Sequence, residues 1–241
     1  MSDLGLIQHP SPNFGPRAAG TSVSILLLHY TGMSTGAAAL ERLCDPSAEV
    51  SSHYLIEEDG RVFQLVDEKD RAWHAGVSSW AGETDINSCS IGIEIVNQGH
   101  AAGCPPFPDK QIQSTIHICL DILDRHSISP HRVLAHSDVA PGRKIDPGEA
   151  FPWSVLSRAG VGRWTEPEAL VSGSILQLGD EGAVVTDLQN KLHKMGYNIE
   201  ISGCFDQSTK GVVEAFQRHY RPGRVDGVAD ISTLKTLDRY L

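Results

Sequence analysis

The longest apolar stretch in this sequence, Ile25 to Leu28, has four residues. A membrane-crossing helix needs about 20, so no membrane insertion is expected. Basic residues are scarce: 20 Lys and Arg stand against 30 Asp and Glu, a net charge of −10. That deficit argues against nucleic acid as a partner, because such binding draws most of its affinity from phosphate neutralisation. It argues equally against docking on an anionic membrane surface. The acidity belongs to the first part of the chain, with 12 basic and 21 acidic residues before Ser174 and 8 and 9 from there on. Cysteines are few, odd in number and scattered (Cys44, Cys89, Cys104, Cys119, Cys204), with no C-x-x-C pair. They suggest neither a disulfide framework nor a zinc knuckle and read as free, buried thiols. No H-E-x-x-H stretch occurs, so the helix-borne site of many zinc peptidases is excluded.

What remains is an ordinary globular composition, 40% apolar and 21% charged over 241 residues, with room for one large domain and a small one. Residues 1–22 are rich in Pro, Gly, Ser and Asn and read as an irregular arm. Ser24–Leu28 is a buried strand. Gly36–Cys44 is a short helix. Tyr54–Glu57 and Arg61–Val66 flank Asp59-Gly60, a hairpin signal. Ser90–Val96 alternates with period two and reads as a central strand. Asp109–Arg125 is a helix whose apolar face is expected to hold Ile112, Ile116, Cys119, Leu120 and Leu123. Arg132–Ala135 is a short strand, and His136–Trp153 a long loop. The expected fold class is α/β (α+β), a mixed central β-sheet flanked by helices. Residues 161–174 read as a linker, which makes 1–160 the first domain and 175–241 the second. The second is expected to be a loosely tethered three-helix bundle with its own core. Its apolar stripes are Val185, Leu188, Leu192 and Met195; Val212, Val213 and Phe216; and Leu234 and Leu237. Asp206-Gln-Ser-Thr209 and Asp230-Ile-Ser-Thr233 form a weak internal repeat, each opening a helix.

Two imidazoles and one carboxylate, with a fourth position left to water, make an open catalytic zinc site. His29 and His136 each follow a strand, and Asp146 follows His136 by ten residues. Spacing alone does not single them out among eleven histidines. Glu94 is a carboxylate inside the apolar strand SIGIEIV. It suits a buried ion pair, a solvent-facing edge, or a general acid/base whose pKa is raised by desolvation.

The stretches LLLHYTG (26–32), SSHYLIEEDG (51–60), AWHAG (72–76), SIGIEI (90–95) and HSDVAPGRKIDPG (136–148) occur in the order of the amidase-2 family. This region resembles the N-acetylmuramoyl-L-alanine amidases of that family over about residues 20–155. The resemblance implies a single Zn2+ held by His29, His136 and Asp146. It implies Glu94 as the catalytic glutamate and Lys144 as the basic residue beside the metal, a fixed cation for a tetrahedral oxyanion. His74 and Trp73 are expected in the cleft. Tyr30, His53, Asn87 and Arg143 lie beside motifs as candidate substrate contacts, Arg143 through its guanidinium fork. His117 and His126 read as structural or surface residues.

Residues 176–217 and 225–237 resemble the peptidoglycan-binding type-1 domain, with Cys204 departing from the usual Asp-Gly before Phe. A bundle that only stabilises the enzyme fits the same residues. The expected activity is hydrolysis of the amide between N-acetylmuramic or anhydro-muramic acid and L-alanine. The substrate and partner is peptidoglycan or muropeptide, and the chain is expected to be monomeric. A non-catalytic peptidoglycan receptor is the alternative. The N-terminus lacks the basic and apolar segments of a secretory leader. Cytoplasmic placement is therefore expected, with periplasm or cell wall as the alternative if a leader has been removed.

Overall fold

Alternation of short apolar runs with helical segments builds a mixed sheet in the first 160 residues, as expected. The computed structural model describes residues 5–171, 173 and 175–241. Its strands are β1 (Ile7–Gln8), β2 (Phe14–Pro16), β3 (Ile25–Tyr30), β4 (Tyr54–Ile56), β5 (Val62–Gln64), β6 (Asp70–Ala72), β7 (Ser90–Ile95) and β8 (Val133–Ala135). The helices are α1 (Gly36–Cys44), α2 (Ile86–Cys89), α3 (Asp109–His126), α4 (His136–Val139), α5 (Trp153–Arg158), α6 (Ala183–Met195), α7 (Gln207–Tyr220) and α8 (Ile231–Asp238). Six strands form one sheet in the order β1-β5-β4-β7-β3-β8; β2 and β6 pair separately. Strands β4, β7, β3 and β8 run parallel, and the β4–β5 hairpin is antiparallel. Among the described residues no helix is long and apolar enough to cross a membrane. All five cysteines are free, but only Cys89 and Cys119 are buried, with Cys44 and Cys104 half-buried and Cys204 exposed.

Successive residues of a strand face opposite sides of a sheet, and this divides the core. Leu26, Leu28, Ile91, Ile93 and Ile95 pack with α3 on one face. Ile25 and Leu27 look to the other, where they join residues of α6 and α7. Farther along that second face, α1 lays Ala39 and Leu43 against Leu55 and Phe63. The buried side of α3 is the expected one at Ile112 and Cys119, with Ile116 and Leu123 packed against the same core, and departs from it at Leu120. It holds Gln111, Ile112, Thr115, Ile118, Cys119 and Ile122, while Leu120 is exposed. A polar contact adds to this face: the Gln111 amide donates to the carbonyls of Ile56 and Val96 at the ends of two strands.

The N-terminal arm is more ordered than its composition suggested. Phe14–Pro16 forms an antiparallel ladder with Asp70–Ala72. The next residue, Arg17, spends its guanidinium on the backbone carbonyls of Glu68, Asn87, Ser88 and Ser90. Residues 1–4 of the expected arm, and Ser172 and Ser174 of the expected linker, lie outside the described residues.

The internal repeat of the C-terminal helices is a hydrogen-bonded clip used twice. Asp206 and Asp230 cap α7 and α8, each accepting from the backbone N–H of the Thr three residues on, both at 2.7 Å. Gln189 accepts from Gly203 N–H and donates to the Cys204 carbonyl and the Thr209 hydroxyl. Gln217 repeats this with Gly227, Val228 and Thr233. The clip uses the backbone of residue 204, which is why a cysteine is accommodated there, with its side chain exposed.

These helices are not loosely tethered. One apolar cluster contains Ile25, Leu27, Trp80, Ile86 and Val139 together with Val185, Leu188, Phe205 and Phe216. Trp80 packs edge-on against Tyr197, and Ala81 N–H donates to the Gly196 carbonyl at 2.7 Å. The segment read as a linker is pinned as well: Trp164 donates to the His219 carbonyl, and Arg163 to those of Arg239 and Tyr240. Burying one large apolar side chain is worth about 1.5–3 kcal/mol. A chain ending near Gly173 uncovers several, so its unfolding free energy should drop by several kcal/mol. Calorimetry checks this; an unchanged melting temperature would show the two parts to be energetically independent.

Candidate metal centre

The register of three parallel strands builds the site. His29, the penultimate residue of β3, pairs with Glu94 of β7. On the other side of β3, Leu28 pairs with Ala135, the last residue of β8. The next residues, His29 and His136, therefore stand side by side where β8 gives way to α4. Glu94, His29 and His136 form one row across the carboxyl edge of the parallel strands, where open α/β sheets bind ligands. The loop after α4 returns Asp146 to this row, held by a hydrogen bond from Ser137 N–H to the Asp146 carbonyl.

Three donor atoms converge there. His29 Nδ1 and His136 Nδ1 lie 2.9 Å apart, and Asp146 Oδ2 is 3.1 and 2.9 Å from them. All three side chains are buried. The outer nitrogens decide what the inner ones present. His136 Nε2 lies 3.1 Å from the Ala75 carbonyl, which only accepts, so Nε2 carries the proton and Nδ1 is bare. His29 is fixed by a longer chain. The Ser90 hydroxyl donates to the Ile86 carbonyl, so its oxygen accepts from His74 Nε2–H. His74 Nδ1 then accepts from His29 Nε2–H at 3.0 Å, leaving the His29 Nδ1 lone pair facing inward. A chain of this kind sets which imidazole nitrogen is available to a metal. Gly92 makes room for it, since a Cβ there would lie 2.5 Å from the His74 ring.

Burial, and then the neighbouring His136, push the His29 imidazole down to about 4. Burial opposes ionisation of Asp146, yet the imidazoles of His136 and His29 beside it hold its carboxyl well below the usual carboxylate range. With the outer nitrogens engaged as described, the inner imidazole nitrogens of His29 and His136 and one carboxylate oxygen of Asp146 face one another. That arrangement suits a divalent cation and repels itself without one.

Glu94 stands beside this set with its Oε2 buried and without a hydrogen-bond partner. Burial and the nearby Asp146 raise its carboxyl well above the ordinary range, with Lys144 opposing. A cavity of about 250 Å³ opens onto the row, lined by Tyr30, His74, Glu94, His136, Lys144 and Asp146 on the polar side and by Met33, Leu43 and Val50 on the apolar side. Among the described residues, no carboxylate lies within ion-pair distance of the Lys144 ammonium.

The other sequence candidates are distributed differently. Tyr30 lines the cavity, its phenol 3.1 Å from His100 Nδ1, with His100 in turn bound to Glu149. His74 borders the cavity but spends both nitrogens on His29 and Ser90. Asn87 and Arg143 act on the AWHAG segment. Asn87 Oδ1 accepts from the N–H groups of His74 and Ala75, and the Arg143 guanidinium donates to the carbonyls of Ala75 and Val77. His53 is placed away from the cavity. It is fully buried, accepts from Gly92 N–H through Nδ1, and donates to the Asp70 carbonyl through Nε2. With both nitrogens committed, it has no face for a substrate. Trp73 is half-buried, tied through its backbone to Ser51, and outside the cavity lining. Thr31 and Arg42, which do line it, were missed; Arg42 lies on the amphipathic α1 with no motif to mark it.

Fold and site together define a mixed α/β domain with a buried His-His-Asp cluster that could hold a metal ion at its sheet edge. Comparison with known proteins makes this specific. A family profile described as N-acetylmuramoyl-L-alanine amidase matches residues 19–149, and one described as a putative peptidoglycan binding domain matches residues 181–237. The N-acetylmuramoyl-L-alanine amidase AmiD of Escherichia coli is 37% identical over 232 residues, covering 90% of this chain and 82% of AmiD. The solved complex of AmiD with anhydro-N-acetylmuramic acid-L-Ala-D-gamma-Glu-L-Lys superposes with a TM-score of 0.76, at 35% identity over 92% of this chain and 90% of that one. AmpDh3 from Pseudomonas aeruginosa gives a TM-score of 0.75 at 31% identity, covering 92% of both chains. The chain belongs to the N-acetylmuramoyl-L-alanine amidase family.

Proposed function

We propose that this chain is a zinc amidase that hydrolyses the bond between the lactyl group of muramic acid and L-alanine in muropeptides. The observation that carries the reading is the single row formed by Glu94, His29 and His136 with Asp146. It joins three convergent donor side chains to a carboxyl whose Oε2 is buried and without a hydrogen-bond partner. A receptor that only bound peptidoglycan would have no need of that carboxyl.

His29, His136 and Asp146 would hold the zinc ion, which supplies Lewis acidity to polarise the scissile carbonyl and makes water a nucleophile at neutral pH. The Glu94 carboxylate takes a proton from the attacking water and passes it to the nitrogen of the departing L-alanine. The Lys144 ammonium at the cavity rim stabilises the negative charge that develops on the carbonyl oxygen. The apolar wall of Met33, Leu43 and Val50 keeps bulk water from that side of the cleft, which strengthens both electrostatic effects.

Anhydro-muropeptides are the favoured substrate class, because the AmiD and AmpDh3 folds that this chain matches over most of its length have been solved with such molecules. The second matched profile supports contact with the wall polymer through the C-terminal helices. Incubation with a purified anhydro-muropeptide tests the reaction. The expected products, by mass spectrometry, are the intact stem peptide with a free L-alanine amine and the sugar with its lactyl carboxylate. Cleavage at any other amide of the stem overturns the reading.

A further inference from the structure

We infer that the C-terminal helices help to build the metal centre, with His219 and Tyr197 as positioning residues that hold α4, and so His136, through Asp138. The inference rests on the reading of His136 as a zinc ligand and adds to it where that ligand's rigidity comes from.

Helix α4 has four residues. One turn closes almost no internal hydrogen bonds and cannot hold its own shape, so its rigidity must come from outside. Asp138, two residues after His136, supplies the handle. It is fully buried, as are its partners Tyr197 and His219. Its Oδ2 accepts from Ala135 N–H at 2.8 Å and from His219 Nδ1 at 2.6 Å. Its Oδ1 accepts from the Tyr197 hydroxyl at 2.9 Å. Of three donors on this carboxylate, one lies at the end of β8 and two come from the C-terminal helical region.

His219 is itself immobilised. Its ring is stacked between Trp153, with centroids 3.7 Å apart, and Tyr220, at 3.8 Å, and its carbonyl accepts from the Trp164 indole. A second contact grips the loop that follows α4 and leads to Lys144 and Asp146. Gly211 of α7 lies so close to this loop that a Cβ on it would sit 3.3 Å from the Gly142 backbone. Helix α7 thus braces both the start of the catalytic loop, through His219, and its turn, through Gly211. Residues that orient metal ligands indirectly are commonly worth 10–100-fold in metal affinity.

The test is zinc affinity of the full-length chain by chelator competition, read alongside the absorption spectrum of the cobalt(II)-substituted protein. His219→Ala is expected to weaken zinc binding about 10–100-fold and to change the cobalt spectrum. His219→Asn, whose side-chain amide N–H can stand in for Nδ1–H, is expected to recover most of the affinity and the parent spectrum. Tyr240→Phe is the stability control. It removes the hydroxyl that accepts from Thr165 N–H, a contact that does not involve α4, and is expected to leave affinity unchanged. Parent affinity in His219→Ala overturns the inference. So does an equal loss in Tyr240→Phe, which would mean general loosening. If the alanine variant does not fold, Tyr197→Phe carries the test: a several-fold loss is expected, and parent affinity overturns the inference. A parent chain that binds no zinc overturns the metal-centre reading itself, an outcome distinct from a parent that binds zinc and variants that bind it equally well.

Discussion

Stripping the protein with a chelator is expected to reduce muropeptide cleavage to background, and adding back zinc to restore it. The expectation follows from the donor set. Two imidazole nitrogens whose outer partners are fixed, and a carboxylate held ionised, leave three converging lone pairs. Ligands of this kind bind zinc only when deprotonated, and binding relieves their mutual repulsion. His136→Ala removes one of the three proposed ligands and should lose metal and activity together. It should also remove one of the two side-chain hydrogen bonds on the Ala75 carbonyl, leaving the one from Arg143. Metal content by atomic absorption and turnover by product release are the two readouts. Full activity in metal-free protein would exclude the mechanism.

The parts of this centre that were legible in the sequence are those whose signal is local. A strand, a histidine at or just past its end, and a loop with a fixed spacing to an aspartate all lie within short windows, and His29, His136 and Asp146 were identified from them through the family resemblance. The strands themselves were readable because four apolar residues in a row, or strict alternation, leave few choices. What connects them was not readable. The pairing of His29 with Glu94 depends on strand register, which no single strand encodes. The reading of His74 as a cleft residue placed it near the site but missed that its ring is spent on orienting His29. That role depends on Ser90 and Gly92, which come from another segment.

The same limit explains the larger departure, the join between the two parts of the chain. Asp138 and His219 are 81 residues apart in sequence, and each taken alone looks unremarkable. Gly and Pro between residues 160 and 174 suggested a linker, because composition reports backbone freedom and not what the side chains touch. Trp164 and Arg163 in that segment carry the contacts that hold it down. The apolar side of α3 was legible except at Leu120, but the part played by Gln111 was not. Its amide donates to two strand-end carbonyls, and hydrophobic periodicity does not register a buried polar residue.

The second large effect separates proton transfer from metal binding. Glu94→Gln keeps the size and shape of the side chain and removes its ability to take up a proton. Glu94 lies beside the ligand set but its Oε2 has no hydrogen-bond partner, so zinc content should stay near that of the parent. General acid–base catalysis contributes about 10²–10⁴-fold, equivalent to about 3–5 kcal/mol of barrier, and the rate should fall on that scale. The pH profile gives an independent check. Burial raises the Glu94 carboxyl above the ordinary range, and a general base works only when deprotonated. The parent's kcat/KM should therefore fall as pH drops through this raised value, and that acid limb should vanish in Glu94→Gln. If the variant loses its zinc, Glu94 is a ligand. If it keeps both its rate and the acid limb, Glu94 takes no part in proton transfer, and the buried carboxyl beside His29 must be explained by packing alone.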